Sequence, residues 1–237
     1  GQLYRWHPGM DVVLTGEAAQ ERRDWKFYRV VQGSHGTGYQ FDAPAFGKAR
    51  ARAIEFARII LAGTSQRPGN FSCFGLHEWA MAYKSEENGI RHEYLPLRLG
   101  AQGTDEVVET HKIRCTHFDA FRFYAPQAIE LNELQPTRET QRDLEQPGCL
   151  HANMDLYKWA YKLSPAVPSE LVMDCFELAW DIRTMDMQAS PYDLGDWGHE
   201  PIRIETPEGK AEYVRLQKEF AQRADALKFF IYNTLPG

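Results

Sequence analysis

Three short stretches of the chain each place an imidazole and a carboxylate within four residues of one another, among aromatic side chains. "CFGLHEWAMAY" carries His77, Glu78, Trp79 and Tyr83. "CTHFDAFRFY" carries His117, Asp119, Phe121 and Arg122. "QPGCLHANMDLYKWAYKLSP" carries His151, Asp155, Tyr157, Lys158 and Lys162. Imidazole and carboxylate are the groups that hold metals or move protons near neutral pH. Taken singly, each stretch has an ordinary reading: a hydrogen-bonded core histidine, a structural Asp–His pair, the wet side of an amphipathic helix. Three such stretches, each with a cysteine close by (Cys73, Cys115, Cys149), point instead to histidines that face inward or into a cleft.

The elements that must position these groups follow from spacing. On a helix from about Leu150 to Leu163, His151, Asp155, Lys158 and Lys162 share one face, while Ala152, Leu156, Trp159 and Leu163 share another. Pro165 and Pro168 end that helix. The expectation is that His151 and Asp155 face a cleft, with His151 kept neutral by the positive helix end and oriented by Asp155. In an extended segment His117 and Asp119, two apart, would lie on one face. The stretch "NFSCFGLHEWAMAYK" predicts a helix capped by Asn70 or Ser72.

Elsewhere, "APAFGKARARAIEFARIILAG" predicts a helix stopped at Gly63. "SELVMDCFELAWDIRTMDM" predicts another, capped by Ser169, with Leu171, Cys175, Leu178 and Ile182 inward. Its Glu170, Asp174, Glu177 and Asp181 form an acidic stripe, either solvated or facing Lys158 and Lys162. Thr206 as N-cap, Pro207 at N1 and Glu208 start a final helix. "DVVLTG" and "KFYRVVQG" read as strands, and "GSHGTGY" as a flexible loop without the ending of a phosphate loop. Residues 85–124 read as a few extended segments, with "GTDEVVETHKI" as a short helix at most. Residues 125–149, with Pro126, Pro136 and Pro147, read as a long connection. The expected fold is mainly α: one globular helical domain over 1–237 with a minor β element, mixed over 1–42 and helical from 43 onward.

Bulk properties narrow the function classes. The 237 residues are 43% hydrophobic, enough for a sizeable core. No apolar run is long enough for a membrane span, and no signal peptide or lipidation motif is present. Lys and Arg number 27 against 33 Asp and Glu, which opposes a strong sequence-independent grip on nucleic acid. Four cysteines without a CxxC pair form neither a disulfide framework nor a zinc site of the usual spacing, so a cytoplasmic location is expected. The start at Gly1, without Met, reads as trimmed.

The segments "FSCFGLHEWAMAY", "RCTHFDAFRFY", "QPGCLHANMDLYKWAYKL", "MDCFELAWDIRTMDMQASPYDL" and "IETPEGKAEYV" together resemble a bacterial family, common in actinobacteria, that carries the name 3-methyladenine DNA glycosylase. The likeness runs from about Gln2 to Ala224. It implies hydrolysis of the glycosidic bond of an alkylated base, with DNA as partner and no cofactor. On that reading Asp119 or Glu78 is the carboxylate and His117 or His151 orients water. Trp79, Phe121 and Tyr157 stack on the extruded base, Tyr83 and Arg122 line its site, and Lys158 and Lys162 meet phosphates. The chain lacks the helix–hairpin–helix "GVG" loop and the iron–sulfur cysteine array of well-understood alkyl-base glycosylases. The residues also admit a different enzyme, acting on a small molecule through iron, zinc or manganese. There His77, His117 and His151, with Glu78, Asp119 or Asp155, would form a mononuclear or dinuclear site. A non-catalytic binding module with these histidines in its core is the third reading.

Overall fold

The computed structural model describes residues 6–34 and 36–237. Gly1–Arg5, where the family likeness begins, and His35 of "GSHGTGY" lie outside the described residues. Strand β1 (Val13–Leu14) is followed by helix α1 (Gly16–Gln20), β2 (Tyr28–Gly33) and β3 (Gly36–Phe41). Then come helices α2 (Ala43–Gln66), α3 (Leu76–Met81), α4 (Ser85–Asn88), α5 (Gly100–Thr110) and α6 (Phe118–Phe121). After them lie α7 (Gln141–Leu144), α8 (Leu150–Lys162), α9 (Ser169–Gln188) and α10 (Pro207–Thr234), with 3-10 turns at Pro126–Leu131 and Gly195–Trp197.

The long helices are written in their periodicity. In α9 Leu171, Cys175, Leu178 and Ile182 are buried at helical spacing. In α8 Leu150, Ala152, Leu156 and Ala160 are buried. These stripes face each other, and α10 packs across both and reaches α2. Each fully buried Leu or Ile contributes roughly 1.5–3 kcal/mol through removal from water. α10 starts as expected: the Thr206 side chain accepts from Gly209 N at 3.1 Å, and Pro207 needs no N–H partner. α2 starts at Asp42, whose side chain accepts from Ala45 N.

The β element is a three-stranded antiparallel sheet, order β1-β3-β2, with Val30 opposite Tyr39. The chain is therefore one helical domain with a minor β element, and no helix among the described residues is long and apolar enough to cross a membrane.

Several expectations need correction. Most of "GSHGTGY" is strand β3, because pairing with β2 supplies the order that its glycines lack. α2 runs through Gly63 to Gln66, since packing offsets the cost of about 1 kcal/mol of an internal glycine. Pro168, not Ser169, holds the N-cap position of α9; the Ser169 hydroxyl instead accepts from His7 N. Asn70 and Ser72 cap nothing, because the segment up to Phe74 is irregular; the Asn70 side chain accepts from Ser72 N in a local turn. Residues 85–124 are short helices rather than extended segments: "GTDEVVET" lies in α5, and only isolated bridges, Leu97 to Tyr192 and Ile113 to Asn132, remain.

Candidate functional site

His77 enters from the first turn of α3. The helix starts at Gly75, whose φ of +67° suits glycine, and Trp79 anchors it by donating its indole N–H to Ala189 O at 2.9 Å. His117 sits just before α6. The Asn132 side-chain amide pairs with both backbone groups of Cys115, at 2.7 and 3.1 Å, and so pins the approach to His117. His151 and Asp155 are one turn apart on α8, as their spacing requires. The loops before α3 and α8 share one anchor. Gln217 of α10, fully buried, donates to Gly148 O at 2.5 Å and lies 3.1 Å from Cys73 Sγ.

These elements bring the three histidines together. The rings of His77 and His151 are 4.5 Å apart between centroids, and those of His151 and His117 5.4 Å. Two carboxylate sets flank them. His77 Nε2 meets Asp186 Oδ2 at 3.2 Å, and His117 Nε2 meets both Glu145 Oε1 and Asp155 Oδ2 at 3.2 Å. One ligand-type atom from each of His77, His151 and Asp186 lies within 4.8 Å of the others, and the same holds for His117, Glu145 and Asp155. Donors around a shared ion at about 2.0–2.2 Å stand roughly 3.0–3.4 Å apart, so small movements would close either triad. The Asp186 Oδ1 and His117 Nδ1 atoms are buried with no partner among the described residues.

Charges in the cluster alternate. Burial works against charging His77, but the Asp186 carboxylate and its hydrogen bond outweigh it and raise the pKa. Burial is likewise overcome at His117, where hydrogen bonds to Asp155 and Glu145 lift the value to about 9. His151 goes the other way: burial, then repulsion from His77, holds it well below the ordinary imidazole value. His151 is therefore held neutral, through desolvation rather than the helix end, and Asp155 does not orient it as expected but bonds His117 and Lys158 instead. Asp186 resists the upward push of burial because His77 holds it low, and Asp155 does so through His117 and Lys158.

Two cations border the cluster. Arg183 Nη1 reaches Glu78 Oε1 at 2.7 Å and Asp186 Oδ2 at 3.3 Å, and Lys158 pairs with Asp155. On one side His77 and His151 share with Cys73, Cys115 and Cys149 the wall of a cavity of about 20 Å³, room for little more than one water. Burial pushes these thiols up, Cys115 to about 12, so they are protonated neighbours rather than thiolates.

The other expected residues lie apart. Asp119 does not join His117: α6 is a helical turn, not a strand, and residues two apart diverge there. Asp119 is 34% exposed and pairs with Arg122 and Arg138. Trp79 is 0% exposed and Tyr83 is buried against Glu109, so neither offers a face for stacking. Phe121 packs on Tyr124, and Lys162 lies outward beside the ring of Trp159. The acidic stripe of α9 is exposed; Asp181 pairs with Arg223 and Glu170 accepts from Trp6.

Three site residues went unread in the sequence. Glu145 falls in the stretch expected to be mere connection, where α7 and Arg67 hold it: Gln141 donates to Glu145 Oε1 at 2.6 Å, and Arg67 to its carbonyl at 2.8 Å. Asp186 and Arg183 were passed over for the acidic stripe. Asp186, however, continues the apolar series Leu178 and Ile182 at steps of four, which marks it as a buried carboxylate. Comparison of the chain with family models, curated proteins and solved structures returns no match.

Proposed function

We propose that this chain is a metal-dependent enzyme acting on a small molecule, with His77, His151 and Asp186 as one ligand set and His117, Glu145 and Asp155 as a second. The observation that carries the reading is His151: a neutral imidazole between two His–carboxylate clusters, with no side-chain hydrogen bond to any described residue. Two buried polar atoms beside it, on Asp186 and His117, also lack partners. Burying so many ionisable groups is costly, and a divalent ion would offset that cost. Nitrogen and oxygen donors without thiolate suit iron, zinc or manganese. A bound ion of this kind supplies a nucleophilic water at neutral pH. Lys158 and Arg183 bond the same Asp155 Oδ2 and Asp186 Oδ2 atoms that meet His117 and His77, and so fix both carboxylates at the edge of the centre, where Arg183 also anchors Glu78.

Elemental analysis of protein purified without chelator tests the proposal. About two equivalents are expected, one per triad. Metal well below one equivalent, with no gain on adding iron, zinc or manganese, would overturn it. His151→Ala is expected to lower the content.

A base-excision activity, which the family resemblance implies, is the second reading. It is favoured by a run of aromatic rings, Tyr161, Tyr157, Phe176 and Trp180, spaced 5.4–6.3 Å between centroids across α8 and α9, beside Lys158 and Lys162. Unstacked bases bind such platforms. Its test is release of free 3-methyladenine from alkylated DNA; no release above a protein-free control removes it.

A further inference from the structure

Arg183 faces two ways. Its Nη1 holds Glu78 and Asp186 at the border of the imidazole centre, while the side chain as a whole is 42% exposed and lines a cleft on the outer side. That cleft has a volume of about 230 Å³ and is walled by Tyr94, Trp180, Trp197, Leu194 and Met187. The two tryptophans and the tyrosine are exposed, an unusual outlay of aromatic surface at one spot. Every hydrogen bond that Arg183 makes to a described residue uses Nη1. Its Nε and Nη2 remain, and that edge of a guanidinium matches a carboxylate in bidentate fashion.

We propose that this cleft is the substrate site and that it takes a single-ring carboxylic acid, the ring among the aromatic walls and the carboxylate on Arg183. Size supports the class. A cavity of about 150 Å³ accommodates benzene, so this cleft of about 230 Å³ has room for one ring and a polar group on it. Charge supports it too: Arg183 is the cation of the wall, and a ligand anion there would sit one residue away from Glu78 and Asp186, against the proposed centre. The inference rests on the metal-enzyme reading for what the bound acid would meet, but not for its binding.

The test is titration of the full chain with benzoate, benzamide and acetate, followed by tryptophan fluorescence, in metal-loaded and chelator-treated protein. Benzoate is expected to saturate, with benzamide at least about tenfold weaker and acetate weaker still. Arg183→Gln should cost benzoate about tenfold or more and leave benzamide unchanged. Trp197→Ala, at an exposed position where folding is not at stake, should weaken both ring compounds. Equal affinity for benzoate and benzamide, or no binding of benzoate at millimolar concentration, overturns the inference. Arg183-dependent benzoate binding to a protein that takes up no iron, zinc or manganese when these are added would sink the enzyme reading and leave the cleft standing. Full metal content without benzoate binding would do the reverse.

Discussion

His117 carries the charge state to which the site is most sensitive. In metal-free protein its pKa is lifted to about 9 against an ordinary 6.5, so the folded state binds its proton more tightly than the unfolded chain does. The stabilisation is complete below about pH 6.5 and is lost as pH rises through about 9, to a total of at most ~3 kcal/mol. Urea unfolding of chelator-treated protein at pH 6 and pH 9.5 measures this. The native chain should lose stability over that interval, and His117→Ala should lose much less; equal losses would refute the assignment. The imidazoles and Asp155 were legible by type, since few other side chains do this chemistry. Asp119 was misassigned because the two-residue spacing pairs side chains only in a strand. Glu145 gave no signal, because its place comes from a four-residue helix too short to show a period, where Gln141 holds its side chain, and from a long-range contact of Arg67 with its carbonyl.

Helices α3 and α8 place His77 and His151 through their first turns, and the entry to α8 depends on a close backbone approach. A Cβ at Gly148 would stand 2.3 Å from Asn70 O, too close for any side chain without moving the entry to α8 away from the loop that leads to α3. Gly148→Ala is therefore expected to cost about 1–3 kcal/mol by strain. It should also reduce metal content, because His77 and His151 separate. Thermal unfolding and elemental analysis of one preparation read both effects, and a variant with native metal content would show that the two helices are positioned otherwise. Thr206→Ala, by contrast, removes a cap far from the centre. It should cost about 1 kcal/mol with metal content unchanged. Helices α8, α9 and α10 could be read from sequence because each buries one regular stripe. Helix α3 was read as too long, since the left-handed Gly75 that starts it looks like any glycine in an apolar run.

At the scale of the molecule, α8, α9 and α10 form the packed body, and the candidate centre joins α3, the segment before α6, α7, α8 and α9 through side chains alone. An ion bound there would tie together parts of the chain that are distant in sequence. Binding only the folded state at a hundred times Kd would stabilise it by about 2.7 kcal/mol. Chelation should therefore lower the melting temperature by several degrees in the native chain and by less in Asp186→Asn, which keeps only the second triad. An equal shift in both would place the ion elsewhere.

Gln217 has one more consequence. It belongs to α10, which is translated after every candidate ligand, yet its amide fastens the loops that launch both α3 and α8. A chain emerging from the ribosome thus carries all six donors before it owns the clasp that holds two of the imidazole-bearing helices together. The clasp therefore closes only once α10 docks, and an ion taken up as proposed would meet a site whose two imidazole-bearing helices are fixed by that step.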